Sequence, residues 1–245
     1  MRIHGICSYN GANYSGWQKQ INETSVQKEI EKVLSTIFNT EINIQGSGRT
    51  DALVHANNQH FHFDISDEKK VDLERLLYSV NSMLPEDIKI KSFEVVDPEW
   101  HARFSAKGKR YIYKIKTVAK DPFNTNLMWL NPHPFDYDLL VNALKLFEGK
   151  HNYQDFTSKE EDEDNFVRSI ESIEVNKLGN DISISFVGNG FMRYQIRFMV
   201  GTAFAVATKD IDISYIKNHL DSDKKRDIVH YKAPGQGLYL DEVFY

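Results

Sequence analysis

Apolar positions along the chain fall into two rhythms, a period of two and a period near 3.6, and the alternation between them predicts the element order. Residues 2–9 (RIHGICSY) read as a strand, and the turn-rich NGANYSGW that follows leads to a helix capped at Ser25. Val26, Ile30, Val33, Leu34 and Ile37 recur at helical spacing to about Phe38. Ile42 and Ile44 alternate as a strand would, and in a further strand Gln59, Phe61 and Phe63 alternate against His60 and His62. A helix over Leu73, Leu76, Leu77 and Val80 and the strand-like IKIKSFEVV at 88–96 complete a β-α-β-β-α-β order.

The second half repeats that order. RYIYKIKTV (110–118) reads as a strand, DLLVNALKLF (138–147) as a helix, and 168–176 and 181–187 as two strands. A helical segment over 191–207 and a last strand over 237–245 follow. The implied class is α+β, with two ferredoxin-like halves in a continuous, mainly antiparallel sheet, helices on one face, and a cleft between the halves. The halves are placed at 1–104 and 105–245, and they meet between Glu99 and Lys109. That junction is rich in cations and aromatics: His101, Arg103, Lys107, Lys109 and Arg110 lie among Trp100, Phe104, Tyr111 and Tyr113.

Composition narrows the class. With 41% apolar and 27% charged residues in 245, the chain reads as an ordered protein with a substantial core. No apolar run approaches the roughly 18–20 residues that span a bilayer, and the start shows no secretory pattern, so a cytoplasmic location is expected. The single cysteine, Cys7, excludes a disulfide framework within the chain and a cysteine-rich metal site. The formal charge is −5. Five acidic residues in a row, Glu160–Asp164, account for that whole excess, so a basic groove can coexist with an acidic total: cations are dense over 103–116 and recur at Arg168, Arg193 and Arg197. The acidic run itself reads as a solvated loop.

The segment Gly46-Ser47-Gly48-Arg49-Thr50-Asp51 lies between two predicted strands, where a glycine-rich turn can present a carboxylate and a guanidinium into a cleft. Taken bare, the same residues serve any tight turn. Longer stretches add to this: GWQKQ at 16–20, SVQKEIEKVL at 25–34, GRTDALVHA at 48–56, HARFSAKGKRYIY at 101–113, DFTS at 155–158, FMRYQIRFMVG at 191–201 and GLYL at 237–240. Together and in this order, they resemble the TruA family of tRNA pseudouridine synthases over essentially the whole chain. The resemblance implies an isomerase that binds RNA in the cleft between the halves and converts uridine to pseudouridine at positions 38, 39 and 40 of the tRNA anticodon stem-loop, without a cofactor or metal, acting as a homodimer.

By that resemblance, Asp51 is the catalytic nucleophile and Arg49 helps extrude the target base and hold the RNA backbone. Tyr111 matches the tyrosine that stacks on the uracil, and Arg197 matches the arginine that pairs with the aspartate. Arg103, Lys107, Lys109, Arg110 and Arg168 are expected to contact RNA phosphates, which position RNA without reading its sequence. The chemistry makes matching demands. The glycosidic bond breaks, the uracil turns, and a carbon–carbon bond closes with no redox change. A carboxylate can serve by adding to C6, by attacking C1′, or by removing a 2′ proton. A dry pocket favours the neutral acid, which a buried arginine opposes. The base must be flipped out, and stacking on an aromatic face recovers about 1–3 kcal/mol. Tyr113, on the same strand face as Tyr111, is read as core.

Two departures and one decoy accompany the resemblance. Leu53 stands where most members have glycine. A positive φ there would strain leucine, and the expectation is that the loop tolerates the side chain. The acidic run after DFTS is unexpected on an RNA-binding surface. His55, His60 and His62 imitate a zinc site, but no metal is expected. The competing readings are a non-catalytic RNA-binding protein of the same fold, for which a replaced nucleophile would be the sign, and a hydrolase using the Asp51 carboxylate.

Overall fold

The computed structural model describes residues 1–66, 71–158, 165–220 and 225–245, so the acidic run at 160–164 lies outside the described residues. The elements are β1 (Arg2–Tyr9), α1 (Val26–Phe38), β2 (Gln45–Gly46), β3 (His55–Asp64), α2 (Leu73–Met83), β4 (Ile88–Val96), β5 (Gly108–Lys116), β6 (Trp129–Leu130), α3 (Tyr137–Lys145), β7 (Gly149–Asn152), β8 (Val167–Leu178), β9 (Asp181–Gly188), α4 (Gln195–Ala207), α5 (Ser214–His219) and β10 (Leu238–Phe244). Two compact units result: Met1–Lys107 with Tyr239–Tyr245, and Gly108–Leu238. Among the described residues, no helix is long and apolar enough to cross a membrane.

In the first unit, β1 is antiparallel to both β3 and β4, β2 is antiparallel to β3, and β10 runs parallel to the start of β3. The neighbours therefore lie in the order β4-β1-β3, with β2 and β10 sharing the far side of β3. Ser25 caps α1 by accepting from the Lys28 amide, and Asn39 ends the helix in the left-handed region at φ 51°. Of the predicted stripe, Val26, Ile30, Val33 and Leu34 are buried and Ile37 is half-buried. Ile42 and Ile44 are buried too, but they form no strand. Their amides donate instead to Ser35 Oγ and Glu31 Oε1 of α1, and only the next two residues enter the ladder.

Strand β3 is buried on both faces, which its sequence only half suggests. Phe61 and Phe63 pack edge-on to Phe93, with centroids 6.3 and 6.0 Å away. The histidine face is covered as well. His60 stacks 5.0 Å from His4, and Trp100 and Tyr245 close over them, with Tyr245 donating to the Ala102 carbonyl.

The second unit holds an antiparallel run β5-β9-β8-β7, with β6 parallel to the end of β5. Along β5, Tyr111, Tyr113 and Ile115 are buried while Arg110, Ile112 and Lys114 are half-exposed, as period-two alternation requires. Helix α4 begins at Gln195, not at 191, because Tyr194 takes a left-handed φ of 62° that no helix can continue through. Every residue of α4 except Arg197 is buried.

Burial holds the pKa of His60 and of His62 down, from 6.5 to about 4 in each case; electrostatic interaction with His4 for His60 and with the Arg2 guanidinium for His62 pushes the same way. The folded protein keeps both rings neutral, whereas the unfolded chain protonates them below pH 6.5. Stability is therefore intact above that pH and falls as pH drops toward about 4, by up to about 2 kcal/mol per ring at pH 5. We expect Tm to fall by roughly 5–10 °C between pH 7 and pH 5, and the decline to be shallower in His60→Gln/His62→Gln. An equally steep decline in that variant, followed by scanning fluorimetry, would contradict the assignment.

Candidate active site

Asp51 sits half-buried in the connection between β2 and β3, and hydrogen bonds fix this loop on both sides of it. On one side the Trp17 amide donates to the Thr50 carbonyl at 3.1 Å and the Leu53 amide to the Tyr14 carbonyl at 3.4 Å. On the other, the fully buried Gln59 accepts from Ser47 Oγ at 2.6 Å and donates from Nε2 to the Gly48 carbonyl at 2.8 Å. The Tyr9 and Thr50 hydroxyls are 2.8 Å apart. The segment 11–17 approaches the loop so closely that side chains are excluded. A Cβ on Gly11 would lie 2.1 Å from the Val54 carbonyl oxygen, and one on Gly16, at φ +99°, would lie 2.5 Å from the Thr50 oxygen. His55 locks the same segment by accepting from the Gly11 amide at 3.0 Å.

The turn that carries Asp51 closes with the Val54 amide donating to the Asp51 carbonyl at 3.2 Å. Its third residue, Leu53, has φ 68°. This corrects the sequence expectation in one respect: space for the side chain exists, since Leu53 is 42% exposed, but the backbone demands the left-handed region. A branched residue there costs about 1 kcal/mol or more relative to glycine.

Arg49 is exposed, and its Nε donates to Gln18 Oε1 at 3.2 Å. Behind Gln18 lies a buried polar chain. Gln18 donates to Gln27 Oε1 at 2.8 Å, Gln27 donates to Glu31 Oε1 at 2.9 Å and to the Ile44 carbonyl, and Lys19 pairs with Glu31 Oε2 at 2.8 Å. Glu31, only 6% exposed, thus has both oxygens engaged, which is what keeps a buried carboxylate tolerable. The segments GWQKQ and SVQKEIEKVL are joined to the Arg49 loop by this chain.

The other two candidates belong to the second unit. Tyr111 is 8% exposed and meets Phe191 edge-on at 5.4 Å. Tyr113 is fully buried, donates to the Pro234 carbonyl at 2.8 Å, and has its phenol pushed well above the ordinary range by burial. Arg197 donates from Nε to the Ala233 carbonyl at 2.9 Å and lies 4.9 Å over the Tyr194 ring.

The expected RNA contacts are dispersed. Arg103 and Lys107 are exposed in the first unit, where Arg103 lies 5.7 Å over the exposed Phe104 ring. Lys109 and Arg110 are half-exposed at the start of β5. Arg168 turns back on the chain just before it, donating to the Asn165 and Val167 carbonyls. The three histidines have separate structural partners: His55 holds Gly11, His60 faces His4, and His62 accepts from the Ala102 amide. Sequence reasoning passed over Tyr9, Gly11, Gly16, Gln18, Gln27 and Gln59. Gly16, Gln18 and Gln27 are marked only by lying in quoted motifs, and Tyr9, Gly11 and Gln59 lie outside them.

The strain at Leu53 makes a stability prediction. Leu53→Gly should raise stability by up to about 1 kcal/mol, and Leu53→Val should lower it by a similar amount. Urea titrations of the three proteins check the order, and a destabilised glycine variant would show that the leucine side chain makes a compensating contact.

Comparison with known proteins places the whole chain. The family model described as tRNA pseudouridine synthase matches residues 6–105 and 143–245. A tRNA pseudouridine synthase A of Lactococcus lactis subsp. cremoris (strain SK11) is 36% identical over 247 residues, covering 100% of this chain and 97% of the relative. That of Geobacillus sp. (strain WCH70) is 37% identical over 246 residues, covering 100% and 98%. Both halves of the chain, including the loop of Asp51 and the helix of Arg197, fall inside these matches, and the chain belongs to the tRNA pseudouridine synthase family.

Proposed function

We propose that this protein isomerises uridine to pseudouridine at positions 38, 39 and 40 of the tRNA anticodon stem-loop, working as a cytoplasmic homodimer with no cofactor. The halves 1–104 and 105–245 are each read as ferredoxin-like. The β-α-β-β-α-β order of the first, with β4-β1-β3-β2 side by side, supports that reading.

The observation that carries the catalytic reading is the clamped Asp51 loop. A carboxylate that must meet a flipped base has to be placed to within a fraction of an ångström, and here the backbone around it is bonded at residues 48, 50, 51 and 53. Asp51 acts as the nucleophile. Arg49, steadied by Gln18, helps extrude the base and hold the RNA backbone, and Tyr111 offers its ring to the uracil. Arg197 supplies the positive charge that keeps the carboxylate ionised; its Ala233 bond and the apolar helix around it fix its place. Arg103, Lys107, Lys109, Arg110 and Arg168 are the phosphate contacts. The reaction neither gains nor loses electrons: the C1′–N1 bond breaks, C1′–C5 forms, the proton on C5 leaves for solvent, and N1 takes up a proton from solvent in its place.

Loss of that proton is the readout. With tRNA carrying tritium at uracil C5, the wild type should release label, and Asp51→Ala should release it at least about 10³-fold more slowly. Label release undiminished in the variant would sink the nucleophile, and pseudouridine mapped outside positions 38–40 would sink the positional reading. Gly11→Ala, which displaces the loop without touching any reactive group, should lower the rate roughly 10- to 100-fold.

A further inference from the structure

Tyr194 stands at the start of α4 in a left-handed conformation, φ 62° and ψ 1°, and makes no side-chain cap bond there. Three cations surround its ring: the guanidinium carbons of Arg193 and Arg197 each lie 4.9 Å from the centroid, and Lys232 Nζ lies 4.5 Å from it. Lys232 is held there by main chain, because the neighbouring Ala233 amide donates to the Arg197 carbonyl at 2.9 Å while Arg197 Nε donates back to the Ala233 carbonyl. Arg193 Nη2 donates to the Tyr194 hydroxyl at 3.2 Å, which leaves that oxygen's own proton directed elsewhere.

Three like charges around one ring repel one another. The negative ring face offsets part of this, and an arriving anion would offset the rest. Arg197 already has a role in the proposed reaction. Arg193 and Lys232 are solvent-exposed, and neither forms an ion pair with a described carboxylate. We propose that Arg193, Lys232 and the Tyr194 hydroxyl form a binding site for a phosphodiester of the RNA backbone, anchored on the same ring that backs Arg197. A phosphodiester suits the group because it spreads one negative charge over two oxygens, which can take N–H donors from both cations and the phenolic O–H together. This inference rests on the reading that RNA is the substrate.

The test is the salt dependence of binding to an unmodified tRNA transcript, measured by fluorescence anisotropy beside single-turnover tritium release. Arg193→Gln/Lys232→Gln should weaken binding by roughly 10- to 100-fold and reduce the slope of log K against log salt by about 0.7–0.9, one neutralised phosphate's worth. The release rate at saturating tRNA should stay within about 2-fold of wild type. The charge-preserving pair Arg193→Lys/Lys232→Arg should recover most of the affinity. Unchanged affinity and slope in the glutamine variant would overturn the site, as would an equal loss in the charge-preserving pair. A wild type that binds tRNA with the full slope, and loses it in the glutamine variant, yet releases no tritium would uphold this site and overturn the catalytic reading instead.

Discussion

The approach of segment 11–17 to the loop of Asp51 is the constraint on which the site depends. Two backbones meet at distances that admit no Cβ at Gly11 or Gly16, and the hydrogen bonds from Trp17 and to Tyr14 become possible only because of that closeness. The same segment delivers Gln18 to Arg49. One steric permission therefore places both the carboxylate and the guanidinium, and the buried Glu31–Gln27 pair extends the restraint into α1. Chemistry and core are continuous here, with no flexible joint between the reactive loop and the helix beneath it.

Much of this architecture was legible in the sequence. The stripe of α1, its Ser25 cap and the alternation along β5 follow from local periodicity, and the structure has them where the pattern puts them. The strand at Ile42 and Ile44 was misread because burial alternates there while the amides are taken by Ser35 and Glu31, a tertiary hydrogen-bonding choice that no local pattern encodes. Helix α4 starts late for a similar reason: the apolar run is helical in period from 191, but Tyr194 leaves αR. The site was legible only by motif. Asp51 and Arg49 carry chemistry on their face, whereas Gln59, Gln27 and the two glycines act through what they touch, and that is visible only in space.

Electrostatically, the chain reconciles an acidic total with an anionic partner by keeping its cations in fixed local settings. Arg197 is the single residue of α4 that is not buried, and Tyr194 gathers it with Arg193 and Lys232. A cation held by a ring and by main-chain bonds has little side-chain entropy left to lose when a ligand arrives, so fewer such groups serve where many flexible ones would otherwise be needed.

Leu53 gives the active loop a distinctive place in the hierarchy of local stability. The turn stores backbone strain, while β3 beside it is buried on both faces and paired with β1 along most of its length. The bonds from Leu53 to Tyr14 and from Val54 to Asp51 hold that backbone in the left-handed region, and the buried strand beneath offsets the strain. The carboxylate is thus carried on a loaded turn, held in its strained form by a strand that is buried on both faces.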